Sequence, residues 1–152
     1  MRRVENRLSE AEALEIVSQG EFATLSLVDS EGNPYGVPIS YALTGNTIYI
    51  HGAREGHKIS LLTHNREVCL TVVGANAIDE ANFTTRYSSA IVYGTASLVE
   101  ENLEKVAAMR LLVEKYSPAY AENAEVEIDK AVDKTAIIKI EIKTITGKGN
   151  RK

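Results

Sequence analysis

The chain has 152 residues, of which 44% are hydrophobic and 25% are charged, and these proportions are typical of one globular domain with a substantial core. Its formal net charge of -4 disfavours non-specific nucleic-acid binding, and no apolar run approaches the roughly 20 residues that span a bilayer. The single cysteine, Cys69, excludes an internal disulfide, and the start of the chain lacks the apolar stretch of a secretory signal. We therefore predict one domain over residues 1–152 in the cytoplasm, with no metal site and no membrane partner.

The first predicted element is a helix that begins at Ser9, where Ser9 and Glu12 form a capping box, and ends at Gly20. Alternating apolar residues then predict three strands joined by turns: Phe22–Val28, Tyr35–Leu43 and Thr47–His51. Pro38 falls in the middle of the second strand and lacks an N–H donor. It therefore predicts an edge strand or a break, which leaves backbone groups free for a ligand.

The third strand leads into a segment with the features of an anion site. The strand ends at His51-Gly52, and a helix opens soon after at His57-Lys58 and runs to Asn65. The first N–H groups of a helix point outward and carry the positive end of its dipole, and Lys58 adds a full charge. The segment predicts a phosphate site if the chain binds a phosphorylated cofactor. The alternative is that Lys58 is a solvated surface lysine and His51 a hydrogen-bonded residue at a strand end.

The second half of the chain predicts three further strands and two helical segments. The strands are Glu67–Val73, Ser88–Leu98 and Thr135–Thr144, and the helical segments are Leu103–Tyr116 and Asn123–Ala131. Between the first two of these strands, Gly74–Tyr87 is predicted to be a loop, and Gly94 predicts a bulge or the close approach of another backbone. Six strands joined mostly by short turns favour a closed or nearly closed antiparallel barrel.

Several segments together resemble the flavin-binding split-barrel proteins related to pyridoxamine 5'-phosphate oxidase, and within them the nitroimidazole-resistance branch. The resemblance runs through the opening MRR…R (Arg2, Arg3, Arg7), FATLSLVD, PYGVPISY, IYIHGAREGHK, VCLTVVG, SSAIVYGTASLVE, RLLVEKYSP and IKIEIKTITGK. It covers nearly the whole chain in the expected order. The resemblance implies a mainly β fold, a six-stranded antiparallel split β-barrel with a few flanking helices, which forms a homodimer and binds FMN in two clefts between subunits. FAD contains the same flavin and inner phosphate and stays open.

The resemblance also implies roles for particular residues. Val37, Pro38, Ile39 and Ser40 would run beside the isoalloxazine ring, and His51 and Gly52 would lie near the ring or the ribityl chain. His57 and Lys58 would hold the phosphate, and the partner subunit would supply Phe83, Thr84 and Thr85. His51, at the end of the third strand, is the catalytic candidate.

Two departures from the family pattern bear on function. The chain has no tryptophan and ends GKGNRK, unlike the arginine-rich, tryptophan-bearing end of the true oxidases, which disfavours the vitamin B6 reaction. His57 stands where those oxidases carry a phosphate-binding arginine, which predicts weaker phosphate affinity. The first hypothesis is an FMN oxidoreductase that passes electrons from a reduced nicotinamide to a small nitro or quinone acceptor. The alternatives are a flavin carrier without turnover, and a haem protein with His51, His57 or His64 as axial ligand.

Overall fold

The computed structural model describes residues 3–150, so Arg2 of the opening segment lies outside the described residues. It contains one antiparallel sheet and four α-helices. The strands are β1 (Arg7–Leu8), β2 (Ala23–Val28), β3 (Pro34–Ile39), β4 (Ala42–Thr44), β5 (Thr47–Ala53), β6 (Glu67–Asp79), β7 (Thr84–Leu98) and β8 (Thr135–Asn150). The helices are α1 (Glu10–Gln19), α2 (His57–His64), α3 (Asn102–Tyr116) and α4 (Ala124–Ala131).

The sheet is an antiparallel split barrel, as predicted. Its strand order is β3-β2-β6-β7-β8-β5-β4, and the short β1 pairs with β8. The strands at the two ends of this path, β3 and β4, are consecutive in the chain and are separated by Ser40 and Tyr41. The sheet therefore curls until its edges meet at a covalent connection rather than at a hydrogen-bonded ladder.

The barrel interior is filled by one face of each long strand, because successive side chains on a strand point to opposite faces. α1 covers the sheet near β7 and β8, and Ala13 and Val17 on its inner side are fully buried. The capping box of Ser9 and Glu12 is present, as predicted. The largest fully buried residues are Val17, Leu25, Leu27, Tyr41, Ile48, Ile50, Leu70, Val72, Val92, Ile137, Ile138 and Ile140.

The prediction of six strands was wrong in detail, because the described residues form eight. The predicted strand Tyr35–Leu43 divides into β3 and β4 at Ser40 and Tyr41. β3 lies at an edge of the sheet, in agreement with the edge position or break that Pro38 predicted. The remaining extra strand, β1, has only two residues, which is too short to leave a periodic pattern in the sequence.

The predicted loop Gly74–Tyr87 was also wrong. β6 continues to Asp79 and β7 begins at Thr84, so most of this segment is a hairpin that extends the two strands after a bulge between Val73 and Asn76. The hairpin is exposed on both faces over much of its length, so it has no alternation of apolar and polar residues from which a strand could be read. β8 likewise runs on to Asn150, where it pairs with Tyr87.

The prediction for Gly94 was correct. The register between β7 and β8 shifts at Gly94, where Lys143 is the extra residue opposite. A Cβ atom on Gly94 would lie 2.5 Å from the carbonyl oxygen of Glu141 and 2.7 Å from Cγ2 of Ile140. The backbone of β8 therefore approaches too closely for any side chain at this position.

No helix in the described range 3–150 is long and apolar enough to cross a membrane.

Candidate functional site

The strongest candidate site is a cavity of about 380 Å³ between the outer face of the barrel and the helices that follow β7. It opens at the break between β3 and β4, and its lining is mainly apolar. The lining residues are Ser40, His51, Met109, Leu112, Val113, Tyr116, Ser117 and Ile128.

The periods of β5 and α3 explain why their residues meet there. On β5, Ile48 and Ile50 point into the barrel and are buried, so Tyr49 and His51 point outward, toward α3. On α3, Met109, Val113 and Tyr116 recur at spacings of four and three, which places them on one face. The cavity is the space between these two faces, and Ile128 of α4 closes part of it.

The N-terminal part of α3 is fixed to the barrel by a carboxylate. Glu104 Oε1 accepts hydrogen bonds from Lys139 Nζ at 2.9 Å and from Tyr49 Oη at 2.7 Å. These bonds, from Lys139 first and Tyr49 second, lower the pKa of the Glu104 carboxyl. Burial, and then the bond to Glu104, raise the pKa of the Tyr49 hydroxyl. The three groups hold the start of α3 against β5 and β8.

The C-terminal end of α3 is fixed by the hydroxyl of Tyr116. This oxygen accepts from the backbone N–H of Tyr41 at 2.9 Å and lies 2.7 Å from the carbonyl of Glu21 and 3.0 Å from that of Tyr41. The hydroxyl has one proton, so it donates to one of these two carbonyls at a time. Lys115 Nζ lies 3.9 Å from the ring centroid of Tyr41, and burial lowers the pKa of Lys115. Tyr41 itself donates from its hydroxyl to the carbonyl of Val17 at 2.5 Å.

Ser40 is left with unused hydrogen-bonding groups at the mouth of the cavity. The last pair of β3 is Ile39 with Ala23, and the first pair of β4 is Ala42 with Tyr49, so neither ladder includes Ser40. The Tyr116 hydroxyl forms hydrogen bonds with the backbone N–H and carbonyl of Tyr41. The N–H, carbonyl and hydroxyl of Ser40, by contrast, make no hydrogen bond to the described residues. The break at Ser40 therefore leaves two free donors, the N–H and the hydroxyl, and two free acceptors, the carbonyl and hydroxyl oxygens, beside the cavity.

A second cluster lies at the start of α2. Gly56 is the N-cap residue, with φ of 137°, and it supplies no side chain to cap the first N–H groups of the helix. The His57 ring packs edge-on against Tyr35, with centroids 4.7 Å apart. Lys58 Nζ lies 3.7 Å from the point that a Cβ atom on Gly52 would occupy. Unpartnered N–H groups, an imidazole and an ammonium therefore all belong to the first turn of α2, and these are the groups that bind anions at helix starts.

The structure separates two residues that the resemblance grouped together. His51 and Gly52 are successive residues of β5, so they face opposite sides of the strand. His51 lines the cavity with Ser40, whereas Gly52 faces Lys58. β5 therefore contributes to both clusters, one on each face.

The remaining predicted residues on β3 differ in accessibility. Val37 and Ile39 pack against the core, so a ligand at this edge would meet their backbone rather than their side chains. Pro38 is exposed on the outer face.

The hairpin residues Phe83, Thr84 and Thr85 lie outside both clusters. Phe83, at the tip, has φ of 49° and is 97% exposed, so it has almost no contact with its own chain. Asn150 Nδ2 donates to Thr84 Oγ1 at 3.3 Å and to the Thr85 carbonyl at 3.0 Å, which fixes the base of the turn to the end of β8.

Most of the cavity wall was not predicted from the sequence. The helix Leu103–Tyr116 was predicted without any site residue on it, although Met109, Val113 and Tyr116 line the cavity. Tyr116 carries a signal that could have found it, since a tyrosine in an apolar stripe needs a partner for its hydroxyl. Ser117 and Ile128 carry no comparable signal.

A family model described as pyridoxamine 5'-phosphate oxidase matches residues 9–149. No curated protein matches the sequence. Among solved structures, a candidate 5-nitroimidazole antibiotic resistance protein from Bacteroides thetaiotaomicron is 26% identical, with a TM-score of 0.79 over 93% of this chain and 85% of that one.

Two more distant structures share the fold. The flavocytochrome Anf3 from Azotobacter vinelandii is 22% identical, with a TM-score of 0.85 over 100% of this chain and 72% of that one. An FAD and haem binding protein from Mycobacterium smegmatis is 18% identical, with a TM-score of 0.81 over 97% of this chain and 74% of that one. At these sequence identities, the similarity to the two proteins shows a shared fold only.

Removing the Tyr116 hydroxyl tests the junction at the barrel break. We expect Tyr116→Phe to lower the free energy of unfolding by about 1–3 kcal/mol, because the backbone N–H of Tyr41 loses its acceptor in a partly buried place. Urea unfolding followed by circular dichroism measures the change. Tyr120→Phe is the control, since Tyr120 is exposed. Equal stability of the two variants would contradict this role.

Proposed function

We propose that this chain, which belongs to the pyridoxamine 5'-phosphate oxidase family, is a flavin-dependent oxidoreductase. The flavin, most simply FMN, binds with its phosphate at the start of α2 and its ring beside the break between β3 and β4. Electrons pass from a reduced nicotinamide to a small quinone or nitro acceptor. The observation that carries the proposal is the pairing of an uncapped, cationic helix start with the free backbone groups of Ser40.

The residues at the start of α2 suit a phosphate. Gly56 leaves the first N–H groups of α2 without a side-chain cap, and Lys58 places an ammonium beside Gly52, where the missing side chain leaves room. His57 adds a ring donor in place of an arginine, which supports binding through a single hydrogen bond rather than a bidentate pair. These donors do not distinguish FMN from the inner phosphate of FAD. We propose FMN because it is the smaller of the two ligands and the site accounts for both its phosphate and its ring.

The residues at the barrel break suit a flat heterocycle. The N–H and carbonyl of Ser40 are a donor and an acceptor on one residue, and the pyrimidine edge of a flavin carries both complements. When bound, a flavin supplies the two-electron chemistry that no amino-acid side chain provides, and the protein orients it and excludes competing reactions.

His51 is the proposed proton donor. Its imidazole lines the cavity, is exposed to it, and makes no hydrogen bond within the described residues, so it is free to meet a ligand. A reduced nicotinamide gives up two electrons and one proton, whereas a quinone takes up two electrons and two protons. The second proton comes from solvent, and the His51 imidazole, whose ring nitrogens can carry a proton, passes it to the acceptor oxygen.

Haem is a second candidate ligand, favoured by one specific observation. His51 and Met109 line the same apolar cavity, and these are the two side chains that ligate haem iron in His/Met cytochromes. His57 packs on Tyr35, and His64 Nδ1 lies 3.0 Å from the Ser60 carbonyl, so His51 is the better ligand of the three histidines. The visible spectrum of the purified protein separates the two, since haem has an intense band near the violet edge that flavin lacks.

A homodimer completes the proposal. Phe83 is almost fully exposed at the end of a long hairpin, and an exposed aromatic side chain at such a tip is best explained by contact with another chain. We propose that the hairpin of one subunit, with Phe83, Thr84 and Thr85, covers the flavin site of the other. The single, partly buried Cys69 supports a cytoplasmic location, where thiols stay reduced.

The phosphate site is tested by Lys58→Ala. We expect the Kd for FMN to rise about 10- to 100-fold, because a charge-assisted hydrogen bond to phosphate contributes about 1.5–3 kcal/mol. Quenching of flavin fluorescence on titration measures the Kd. Lys130→Ala is the matched control, since Lys130 is an exposed lysine on α4 that pairs with Glu127 of the same helix. A similar rise in both variants, or in neither, would overturn the assignment.

The role of His51 is tested by His51→Ala. We expect FMN to remain bound, while kcat for quinone reduction falls about 10²- to 10⁴-fold, as is typical when a general acid is removed. Steady-state oxidation of a reduced nicotinamide, with and without the quinone, gives the rate and also separates an enzyme from a flavin carrier. His64→Gln provides the control. Unchanged turnover in His51→Ala would remove His51 from the mechanism.

The shared site is tested by complementation between subunits. Phe83→Ala and Lys58→Ala should each bind FMN weakly alone, whereas co-expression should restore tight sites in about a quarter of clefts. In a two-fold dimer one cleft of each mixed pair combines the intact α2 of one chain with the intact hairpin of the other. FMN titration of the co-expressed material, with its mass by light scattering, measures this. No recovery, or a monomeric mass, would refute the shared site.

A further inference from the structure

The proposed flavin site leaves one wall of the cavity between β5 and α3 without an assigned role. We propose that this cavity is the acceptor subsite, and that Met109 and Val113 make it selective for uncharged, planar ring compounds. The inference rests on the proposed function, because an acceptor subsite presupposes an electron-transfer enzyme.

The volume fits a molecule of about two fused rings. The cavity holds about 380 Å³. An apolar cavity of roughly 150 Å³ is enough to bind one benzene ring, and small-molecule sites usually begin near 300 Å³. A bicyclic ring compound therefore occupies the space without rearrangement of the helices.

The charged residues of α3 all lie outside the cavity. Glu104 is bound to Lys139 and Tyr49, and Arg110 forms a bidentate pair with Glu125 of α4 at 2.6 Å. Lys115 Nζ lies over the Tyr41 ring. α3 has two other charged residues, Lys105 and Glu114, and neither lines the cavity. A charged ligand would therefore lose water without gaining a counter-charge, and such a transfer is strongly unfavourable.

Few polar groups line the cavity, and none of them is a carboxylate, a lysine or an arginine. The Tyr116 hydroxyl is already bound to backbone groups of Tyr41 and Glu21, so its ring is what a ligand meets. The Ser40 hydroxyl, His51 and Ser117 remain, since the backbone groups of Ser40 are assigned to the flavin. Hydroxyls and an imidazole suit carbonyl or nitro oxygens, which carry partial rather than full negative charge.

The two faces of β5 distinguish the acceptor from the flavin phosphate. Gly52 faces Lys58 and the start of α2, whereas His51 faces the cavity and α3. A flavin held by Lys58 is anchored on the α2 side of the strand. The α3 side is then left for the second reactant, with His51 between them.

Equilibrium dialysis with two matched probes tests the selectivity without turnover. 2-Naphthol and 2-naphthalenesulfonate share a bicyclic ring and differ in charge at neutral pH. We expect the FMN-loaded protein to bind 2-naphthol at least about tenfold more tightly, because no lysine or arginine lines the cavity to pair with the sulfonate. Val113→Lys should reverse or remove this preference, whereas Glu114→Lys, with the same charge on the next, exposed residue, should keep it.

Val113→Phe provides a second variant that keeps the wall apolar, in case a lysine at this position prevents folding. It should weaken 2-naphthol binding at least about fivefold by filling the cavity, while the Kd for FMN stays unchanged. Equal binding of the two probes, or 2-naphthol binding by Val113→Phe as tight as that of the unmodified protein, would overturn the proposal.

Steady-state kinetics then test whether the cavity is the site at which the acceptor binds. 2-Naphthol should inhibit competitively toward a quinone acceptor, and inhibition that quinone does not relieve would overturn the proposal. Selective binding of 2-naphthol by a chain that does not bind FMN would overturn the proposed function, whereas FMN binding without probe selectivity would overturn this inference alone.

Discussion

The break in the barrel at Ser40 and Tyr41 is the constraint on which the rest of the structure depends. A sheet that closes through a covalent connection has two residues that neither edge strand can pair. Buried or partly buried backbone groups need partners, and here the hydroxyl of Tyr116 bonds both backbone groups of Tyr41. That single side chain therefore joins the end of α3 to the opening of the barrel. It also explains why Ser40, the other unpaired residue, is left to bind something else.

The attachment of α3 at both ends creates the cavity. Glu104 binds the outer face of β5 and β8, and Tyr116 binds the break, with three helical turns between them. Between these two points, Ala108 packs against Ile137 of β8, whereas Leu112 and Val113 in the next turn line the gap. The ion pair between Arg110 and Glu125 adds α4 to this wall, although both groups are half exposed and such pairs contribute little stability.

β5 separates two chemical environments because its side chains alternate. At the end of the strand, the face with Gly52 turns to the Lys58 ammonium at the uncapped start of α2, and the face with His51 turns to the mainly apolar cavity beside α3. In the proposed function, an anionic cofactor and a neutral reactant have opposite solvation requirements, and one strand would keep their sites adjacent and separate. The same alternation explains why His51 and Gly52, neighbours in sequence, belong to different clusters.

The sequence alone determined the elements whose signals are local. The capping box at Ser9, the alternation of the long strands, the edge strand that contains Pro38 and the cationic start of α2 each depend on a few adjacent residues, and the structure contains all of them. The bulge at Gly94 belongs with them, because a glycine inside a strand already signals a close backbone approach.

Only the tertiary structure decided what depends on pairing between distant segments. The hairpin beyond Val73 is exposed on both faces, so it left no periodic pattern, and its strands exist because their backbones pair with each other and with the end of β8. The bond from Tyr116 to Tyr41 spans 75 positions, and the meeting of His51 with Met109 and Val113 depends on how α3 lies across the barrel. A cavity is the space between surfaces, and no single stretch of sequence contains both of its walls.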